Sequence, residues 1–363
     1  MRCDGSRVAL HRGDETLRRW DDPLDALAWM EKRSFEELGT PRGQWAGFLS
    51  YDLGRWFERL PSCAVDDLHL PMFAFALCSQ EANDAPLGDH VSRSSGMRST
   101  FDRAAYLAAV QRCIDFIAAG DAFQINLSQR FSVGLAAPSA EVFHRLIESA
   151  PAHFGGLLEF DNFALICNSP ELFLHVTPDR RIITRPIKGT RPRGRGMDVE
   201  LRDSVKDQAE LNMIVDLERN DLGRVCEIGT VRVTEPRVIE AHPTVYHGAA
   251  TIEGSLRAGV SLVDLLRATF PGGSVTGAPK IRAMEIIDQL EPVRRGPYCG
   301  AIGSIAASGE MIFNVAIRTM IAKDGIVHVP VGGGIVADSQ PLAEYDETLV
   351  KARAMFAALG VAV

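Results

Sequence analysis

The sequence predicts an α+β protein whose strands form a largely antiparallel sheet system. Alternating, β-branched segments follow one another at hairpin-like spacing, as in FALICNSPELFLHVTP at 163–178 and RIITRPIKG at 181–189. Helical patterns separate some of these segments, at 140–149 and 204–217 for example, but the chain shows no regular βαβ alternation. Antiparallel pairing is therefore favoured over a parallel, doubly wound sheet.

Individual elements follow from local signals along the chain. In residues 101–121 the apolar positions have helical spacing, and Gly120 follows as a C′ residue. The polar residues 79–99 are expected to form a long surface loop. Within residues 311–336, Asp324-Gly325 is a strong hairpin signal, and a continuous strand before it would place Arg318 on one face with Asn314 and Met320.

Composition excludes several classes of protein. The chain has 363 residues, 46% hydrophobic and 24% charged, and its formal net charge of −8 argues against nonspecific nucleic-acid binding. No signal peptide and no stretch of 18 apolar residues is present, so we expect a cytoplasmic protein without a membrane partner. The seven cysteines are dispersed and form no CxxC pair, which indicates neither disulfides nor a zinc site.

Carboxylates occur on two predicted helices. After Ser204, Asp207 and Glu210 fall within the apolar sector, where they either complement the helix N-terminus and pair with a cation or bind a metal ion. In the last helix, residues 340–360, Glu344, Glu347 and Lys351 share a face. Alone this is an ordinary solvated face; opposite Asp207 and Glu210, it would complete an all-oxygen site suited to Mg²⁺. The core stripe of that helix is predicted to be Leu342, Tyr345, Leu349, Ala352 and Phe356.

Two further segments could bind anions. The glycine-rich turn around Ser274 precedes a helix, but Ala278 and Pro279 stand where a nucleotide phosphate loop needs Lys and Ser/Thr. Its backbone amides could hold a carboxylate, or the segment is a plain tight turn. Arg318, followed across the hairpin by VGGGI, could clamp a carboxylate or face water.

Several motifs occur together, in the order GDAFQINLSQRF, NSPELF, RPIKGTRPRG, AELNMIVDLERNDLGRV, PGGSVTGAPKIRAMEIIDQLEP, GAIGS and GGGIVADSQPLAEYDETLVKA. From about Gln44 to the C-terminus the chain thereby resembles the chorismate-utilising enzymes, and most closely their aminodeoxychorismate synthase component I branch. The resemblance implies two large antiparallel sheets packed as a sandwich, with helices outside and the active site in a cleft. It also implies an N-terminal part, 1–100, shortened relative to the family, and a continuous chorismate-binding catalytic region, 101–363.

The resemblance also implies roles for individual residues. Glu210 and Glu347 match Mg²⁺ ligands, and Asp207 and Glu344 match acidic positions that hold metal-bound water. Glu171 matches the general acid that protonates the C4 hydroxyl of chorismate as it leaves. The positions matching substrate-binding residues are Arg318, Gly332, Ser274, Tyr298, His247, Lys351 and Thr190.

Two positions bear on the product. Gln124 stands where water-using members of the family carry a lysine base, so the resemblance favours ammonia as the nucleophile. Lys188 stands where anthranilate synthases carry a small residue and aminodeoxychorismate synthases a lysine. A neutral Lys188 amine could attack C2 and leave C4 to ammonia. We expect the nearby arginines to favour its neutral form: Arg185, Arg191 and Arg193.

The implied function is amination of chorismate at C4, giving 4-amino-4-deoxychorismate for p-aminobenzoate and folate synthesis. Ammonia would be delivered by a separate glutamine amidotransferase subunit, because no glutaminase Cys-His-Glu arrangement is evident here. The first alternative is anthranilate synthase component I, which aminates C2. The second is a noncatalytic protein whose arginine cluster binds RNA or a phosphate ligand, which the overall acidity of the chain disfavours.

Overall fold

The computed structural model describes residues 1–78 and 96–361, so most of the predicted surface loop at 79–99 lies outside the described residues. Among these described residues, two short 3₁₀ turns occur, at Tyr51–Trp56 and Gly273–Val275. The helices are α1 Pro23–Lys32, α2 Ser34–Glu37, α3 Arg103–Ala118, α4 Ser139–Ser149, α5 Met197–Asp203, α6 Val205–Gly223, α7 Leu262–Thr269, α8 Lys280–Leu290 and α9 Pro341–Ala358.

The strands alternate irregularly with these helices, as the α+β prediction requires. They are β1 Arg2–Asp4, β2 Arg7–Arg12, β3 Glu15–Trp20, β4 Gln44–Leu49, β5 Phe73–Cys78, β6 Arg98–Ser99, β7 Gln124–Gly134, β8 Phe154–Phe160, β9 Phe163–Ser169, β10 Leu172–Val176, β11 Arg181–Arg185, β12 Ile187–Pro192, β13 Arg232–Ala241, β14 Val245–Ser255, β15 Gly277–Ala278, β16 Ala301–Ala306, β17 Met311–Val315, β18 Thr319–Lys323 and β19 Ile326–Ile335.

These strands form two antiparallel sheets. The twelve-stranded sheet has the order β12-β14-β11-β10-β17-β16-β4-β5-β1-β2-β3, with β13 also paired to β14. The seven-stranded sheet has the order β15-β7-β19-β18-β9-β8, with β6 also paired to β7. Strand β4 of the N-terminal part pairs directly with β16, so strands from both parts of the chain complete one sheet. The division into two parts near residue 100 stays a prediction.

A shared apolar core holds the two sheets face to face. Phe48, Ala74 and Ile302 come from the larger sheet, and they pack with Phe163 and Ile321 from the smaller one. Burying side chains the size of Phe or Ile contributes about 1.5–3 kcal/mol each. The predicted sandwich is confirmed.

The chain crosses between the sheets at residues 316–318. Strand β17 belongs to the larger sheet and β18 to the smaller, so the predicted continuous strand through Arg318 is wrong. Arg318 has a φ of 48°, in the left-handed region. The apolar alternation continues on both sides of the break, because both strands are buried, and no Gly, Pro or Asn marks the turn. The Asp324-Gly325 hairpin is confirmed, with positive φ at both residues.

The helix signals gave mixed results. Helix α3 and the positive φ of Gly120 are confirmed, and Ser204 caps α6 by accepting a hydrogen bond from the backbone N–H of Asp207 at 3.3 Å. In α9 the predicted core stripe is partly wrong, because Leu342 is exposed while Glu344 is buried. The face that carries Glu344 therefore turns toward the protein.

All seven cysteines are free. Among residues 1–78 and 96–361, no helix is long and apolar enough to cross a membrane.

Replacing Gly303 tests how closely the central strands approach one another. Gly303 on β16 pairs with Gly47 on β4, and a Cβ at Gly303 would lie 1.9 Å from the carbonyl oxygen of Ile312. We expect Gly303→Ala to lower the free energy of unfolding by about 2 kcal/mol or more, measured by urea denaturation.

Gly156→Ala is the matched control, because a Cβ at Gly156, within β8, meets no atom within 4 Å. Its effect should stay within about 1 kcal/mol. Equal unfolding free energies for the two variants would contradict the close approach of β17 to β16 at Gly303.

Candidate active site

The predicted site residues come from elements of both sheets and from two helices. Lys188 lies on β12, Glu171 immediately precedes β10, and Ser274 belongs to the 3₁₀ turn Gly273–Val275. Helix α6 packs on β12 and on that turn, while α9 packs on β19. The carboxylates of α6 and α9 are thereby directed at the strands that carry Lys188 and the glycine run.

The amine of Lys188 is enclosed between these elements. It donates a hydrogen bond to the carbonyl oxygen of Ser274 at 3.5 Å. Burial lowers the pKa of Lys188; the carboxylate of Glu210 opposes this shift, and the ammonium of Lys351 adds to it. The neutral amine is therefore populated at lower pH than for an exposed lysine.

The predicted reason for this shift is wrong. The three arginines of the Lys188 segment are occupied elsewhere: Arg185 pairs with Glu240, and Arg191 pairs with Asp207 at 3.0 Å. Arg193 stacks on Tyr246, with its guanidinium carbon 4.5 Å from the ring centroid. The pKa of Lys188 is instead lowered by desolvation and by the charge of Lys351. A cation outside the local sequence segment cannot be recognised from that segment.

Glu171 is buried and lies close to Lys188. Burial raises the pKa of Glu171 to about 7. Hydrogen bonds from Ser274 and from the backbone N–H of Ile187, together with the charge of Lys188, oppose this rise. A carboxyl with this pKa still carries its proton in a large fraction of molecules at neutral pH. The site therefore contains an acid that is partly protonated at neutral pH, next to an amine whose pKa is lowered.

The three consecutive glycines of β19 have different neighbours. A Cβ at the predicted substrate-binding residue Gly332 would lie 2.6 Å from the carbonyl oxygen of Leu127, so the neighbouring strand requires glycine there. Gly333 instead faces the carboxylates of Glu344 and Glu347. A Cβ at Gly334 would lie 2.5 Å from Nε2 of Gln124 and 3.4 Å from Nζ of Lys188. Gly333 and Gly334, which the sequence prediction did not single out, line the site more directly than Gly332.

Gln124 brings an unpaired amide to the same place. Its side chain is fully buried, and neither its oxygen nor its nitrogen has a hydrogen-bond partner among the residues that the structure describes. Such orphaned buried groups are rare, since leaving one unpaired costs about 1–3 kcal/mol. A small polar ligand beside Lys188 would satisfy it.

The four carboxylates of the predicted metal site are close to cationic side chains. Lys206 lies 3.9 Å from Glu210 and 4.0 Å from Glu344, so one ammonium bridges α6 and α9. Glu347 pairs with Lys351 at 2.7 Å, on the helix face where both were predicted to lie, and Asp207 pairs with Arg191. Burial raises the pKa of Glu210, whereas Lys351 lowers that of Glu347.

This carboxylate set fits a hard cation by its chemistry. Its donors are carboxylate oxygens, which Mg²⁺ prefers, and they already surround a positive charge. Nevertheless, within residues 1–78 and 96–361, no three His, Cys, Asp or Glu side chains lie close enough together to hold a metal ion. Lys206 would have to move away before a metal could be bound there, and the Mg²⁺ assignment stays a prediction.

Arg318 and His247 form a second polar wall. The guanidinium of Arg318 is partly buried and has no hydrogen-bond or ion-pair partner among the described residues, although Glu171 acts on it electrostatically. Burial and the charge of Arg318 lower the pKa of His247 to about 3, so its ring is neutral. Nδ1 of His247 lies 2.9 Å from the hydroxyl of Thr190, which is exposed. Arg318 is thus a cation available to an external anion.

Tyr298 stands apart from this group. It is buried beside Arg295 and Glu291 and contributes to the wall of a small cavity that also includes Ser128. No hydrogen bond or ion pair joins Tyr298 to the other predicted site residues that the structure describes. The structure brings most of the predicted set together, but it does not connect Tyr298 to them.

Comparison with known proteins identifies the family. The model of the chorismate binding enzyme family matches residues 6–357. The chain belongs to this family. Anthranilate synthase component 1 of Thermus thermophilus is 39% identical, over 94% of this chain and 83% of that protein. Aminodeoxychorismate synthase component 1 of Klebsiella aerogenes is 40% identical, over 84% of this chain and 74% of that protein.

A solved structure shows the same fold. Anthranilate synthase component I from Streptococcus pneumoniae has a TM-score of 0.84 and 30% identity, covering 98% of this chain and 89% of that one. This chorismate-utilising enzyme therefore has relatives with two different amination products at nearly equal identity. Overall similarity does not distinguish the two reactions, and the site residues must decide between them.

The reactivity of Lys188 provides a direct test of the electrostatics. We expect the labelling of its amine by an acylating reagent to show a pH inflection below the ordinary lysine value of about 10.4, because burial disfavours the charged form. Competitive labelling followed by mass spectrometry measures this inflection, with the half-exposed Lys206 as the comparison residue.

Glu210→Gln should move the labelling inflection of Lys188 to still lower pH, since it removes a carboxylate that raises the pKa of Lys188. An inflection at the ordinary lysine value in the unaltered protein would contradict the environment described here.

Proposed function

We propose that this enzyme aminates chorismate at C4 and releases 4-amino-4-deoxychorismate, the precursor of p-aminobenzoate and folate. The observation that carries the proposal is the Lys188 amine, with its lowered pKa, beside the protonated carboxyl of Glu171. An anthranilate synthase needs no amine at this position. A nucleophile there gives the enzyme a way to exclude ammonia from C2.

The proposed first step uses both groups at once. Glu171 transfers its proton to the C4 hydroxyl, which leaves as water, while the neutral Lys188 amine forms a bond to C2 and the ring double bonds shift. In the second step ammonia bonds to C4, the double bonds shift back, and the Lys188–C2 bond breaks. The surplus proton of the ammonia nitrogen passes to solvent or to a carboxylate, and Lys188 is regenerated.

Gln124 supports ammonia as the incoming nucleophile. Its buried amide, unpaired within the described parts of the chain, offers a hydrogen-bond acceptor and a donor next to Lys188, but it cannot act as a general base for water. Ammonia needs no base before it attacks. We propose that a glutamine amidotransferase subunit delivers it.

Charged groups on opposite sides suit the anionic substrate. Arg318, whose guanidinium has no partner in the part of the chain that the structure describes, offers it to one carboxylate, and the neutral His247 ring adds a hydrogen-bonding edge. Glu210 and Glu347 would hold Mg²⁺, with Asp207 and Glu344 beyond them. When bound, the metal ion would neutralise a substrate carboxylate near the ring. The lysines that pair with these carboxylates are consistent with a place for a cation, which supports this proposal.

The leading alternative is amination at C2, because relatives named anthranilate synthase component 1 are as similar as the others. A role for the arginine cluster in binding RNA or phosphate is less well supported. Arg185 and Arg191 are already paired with carboxylates and Arg193 is stacked on Tyr246, which leaves little free positive charge there.

Product analysis tests the proposal. The protein is incubated with chorismate, Mg²⁺ and ammonium at mildly alkaline pH, and the product is examined by mass and fluorescence. We expect 4-amino-4-deoxychorismate, no anthranilate fluorescence, and no turnover without Mg²⁺. Anthranilate as the main product would refute the proposal.

Lys188→Ala should lower the rate by roughly a hundredfold or more, because the covalent step is lost. Lys323→Ala is the matched control: Lys323 ends β18 and pairs with Asp324, and no hydrogen bond or ion pair joins it to the site residues within residues 1–78 and 96–361. An unchanged rate and product in Lys188→Ala would mean that Lys188 has no nucleophilic role.

A further inference from the structure

Glu218 is a buried carboxyl that the proposed reaction does not use. It lies on α6, two turns beyond Glu210, and its carboxylate accepts a hydrogen bond from the hydroxyl of Thr184 at 2.9 Å. Its relative exposure is 8%. A carboxyl this deeply buried needs compensation, yet it forms no ion pair within the described residues.

The fold places Glu218 near Glu171 by two routes. In the sheet, Leu172 pairs with Arg185, so the flanking residues Glu171 and Thr184 both point to the opposite, buried face. In the turn, a Cβ at Gly273 would lie 3.6 Å from Cγ of Glu218, and the next residue, Ser274, hydrogen-bonds to Glu171. The Gly273–Ser274 turn therefore lies between the two carboxyls.

The charged groups around the pair compensate Glu171 better than Glu218. Asp221, on the same helix, and Lys280, on α8, act on Glu218, but Lys280 is held by Asp221 at 2.5 Å. On the other side Lys188, Lys351 and Arg318 act on Glu171. Burial and the charge of Glu171 raise the pKa of Glu218 to about 8. Two buried carboxyls with overlapping titrations hold at least one proton between them at neutral pH.

We propose that Glu218 and Glu171 share a proton across the Gly273–Ser274 turn, so that Glu218 is a positioning residue that keeps Glu171 in its protonated form. This rests on the proposed role of Glu171 as the proton donor to the leaving hydroxyl. After the pair loses its first proton, the second still resides on Glu171 in part of the molecules. The acid therefore stays usable to higher pH than a single carboxyl would.

Glu218→Gln tests the sharing directly. The amide keeps the shape and can still accept the Thr184 hydrogen bond, but it cannot hold the exchangeable proton. In protein labelled with ¹³C at the glutamate side-chain carboxyls, we expect the two-step titration of Glu171 to become a single step. The signal is assigned by its absence in Glu171→Gln. This readout needs no substrate and no turnover.

The second readout is the rate of chorismate consumption as a function of pH, at constant free ammonia. In Glu218→Gln the decline of the rate on the alkaline side should begin about half a pH unit or more lower. At a given pH on that limb this is roughly a threefold loss of rate. Asp216→Asn is the matched control, because it removes a carboxylate from the exposed side of the same helix. Its titration and its pH profile should match those of the unaltered protein.

Thr184→Val provides a second variant that retains both carboxyls. In the unaltered protein the hydrogen bond from Thr184 stabilises the ionised form of Glu218. Its loss should therefore raise the pKa of Glu218 and move the upper titration step to higher pH. A single-step titration of Glu171 in the unaltered protein, or an unchanged titration and pH profile in Glu218→Gln, would overturn the proposal. Because consumption of chorismate is measured whichever product forms, an anthranilate product would refute C4 amination and leave this test intact.

Discussion

Removal of charged groups from water is the constraint on which the site depends. The same desolvation acts on Glu171 and Lys188 with opposite consequences, raising the pKa of the carboxyl and lowering that of the amine. Both groups are thereby shifted toward their neutral forms. A neutral carboxyl can donate a proton and a neutral amine can attack carbon, so a single physical effect prepares an acid and a nucleophile together.

The two-sheet architecture makes this desolvation possible. Lys188 comes from the larger sheet, the glycine run that faces it comes from the smaller, and helices α6 and α9 bring carboxylates from both sides. The crossing between β17 and β18 adds Arg318, held at positive φ and unpaired within the described residues. Glycines at 333 and 334 leave room for these side chains. Larger residues there would occupy the positions of the carboxylates, the Gln124 amide or the Lys188 amine.

Much of this arrangement is predictable because its signals are local. Ser204 caps the start of α6, Asp324-Gly325 marks a hairpin, and the motif around Lys188 indicates the family. The failures concern interactions between distant segments. No turn-forming residue marks the crossing between the sheets at Arg318. The burial of Glu344 in place of Leu342 depends on the packing of α9 against β19. No local sequence signal distinguishes Glu218, and only Thr184 and Glu171 reveal its setting.

The central claim is that Lys188 itself bonds to the substrate, and trapping that bond tests it most directly. The protein is mixed with chorismate and Mg²⁺ without ammonia, quenched with acid and digested with trypsin. We predict a peptide with a missed cleavage at Lys188, whose mass is increased by that of chorismate minus water. Only unmodified Lys188 peptide, from a preparation that turns over normally once ammonia is added, would contradict the account.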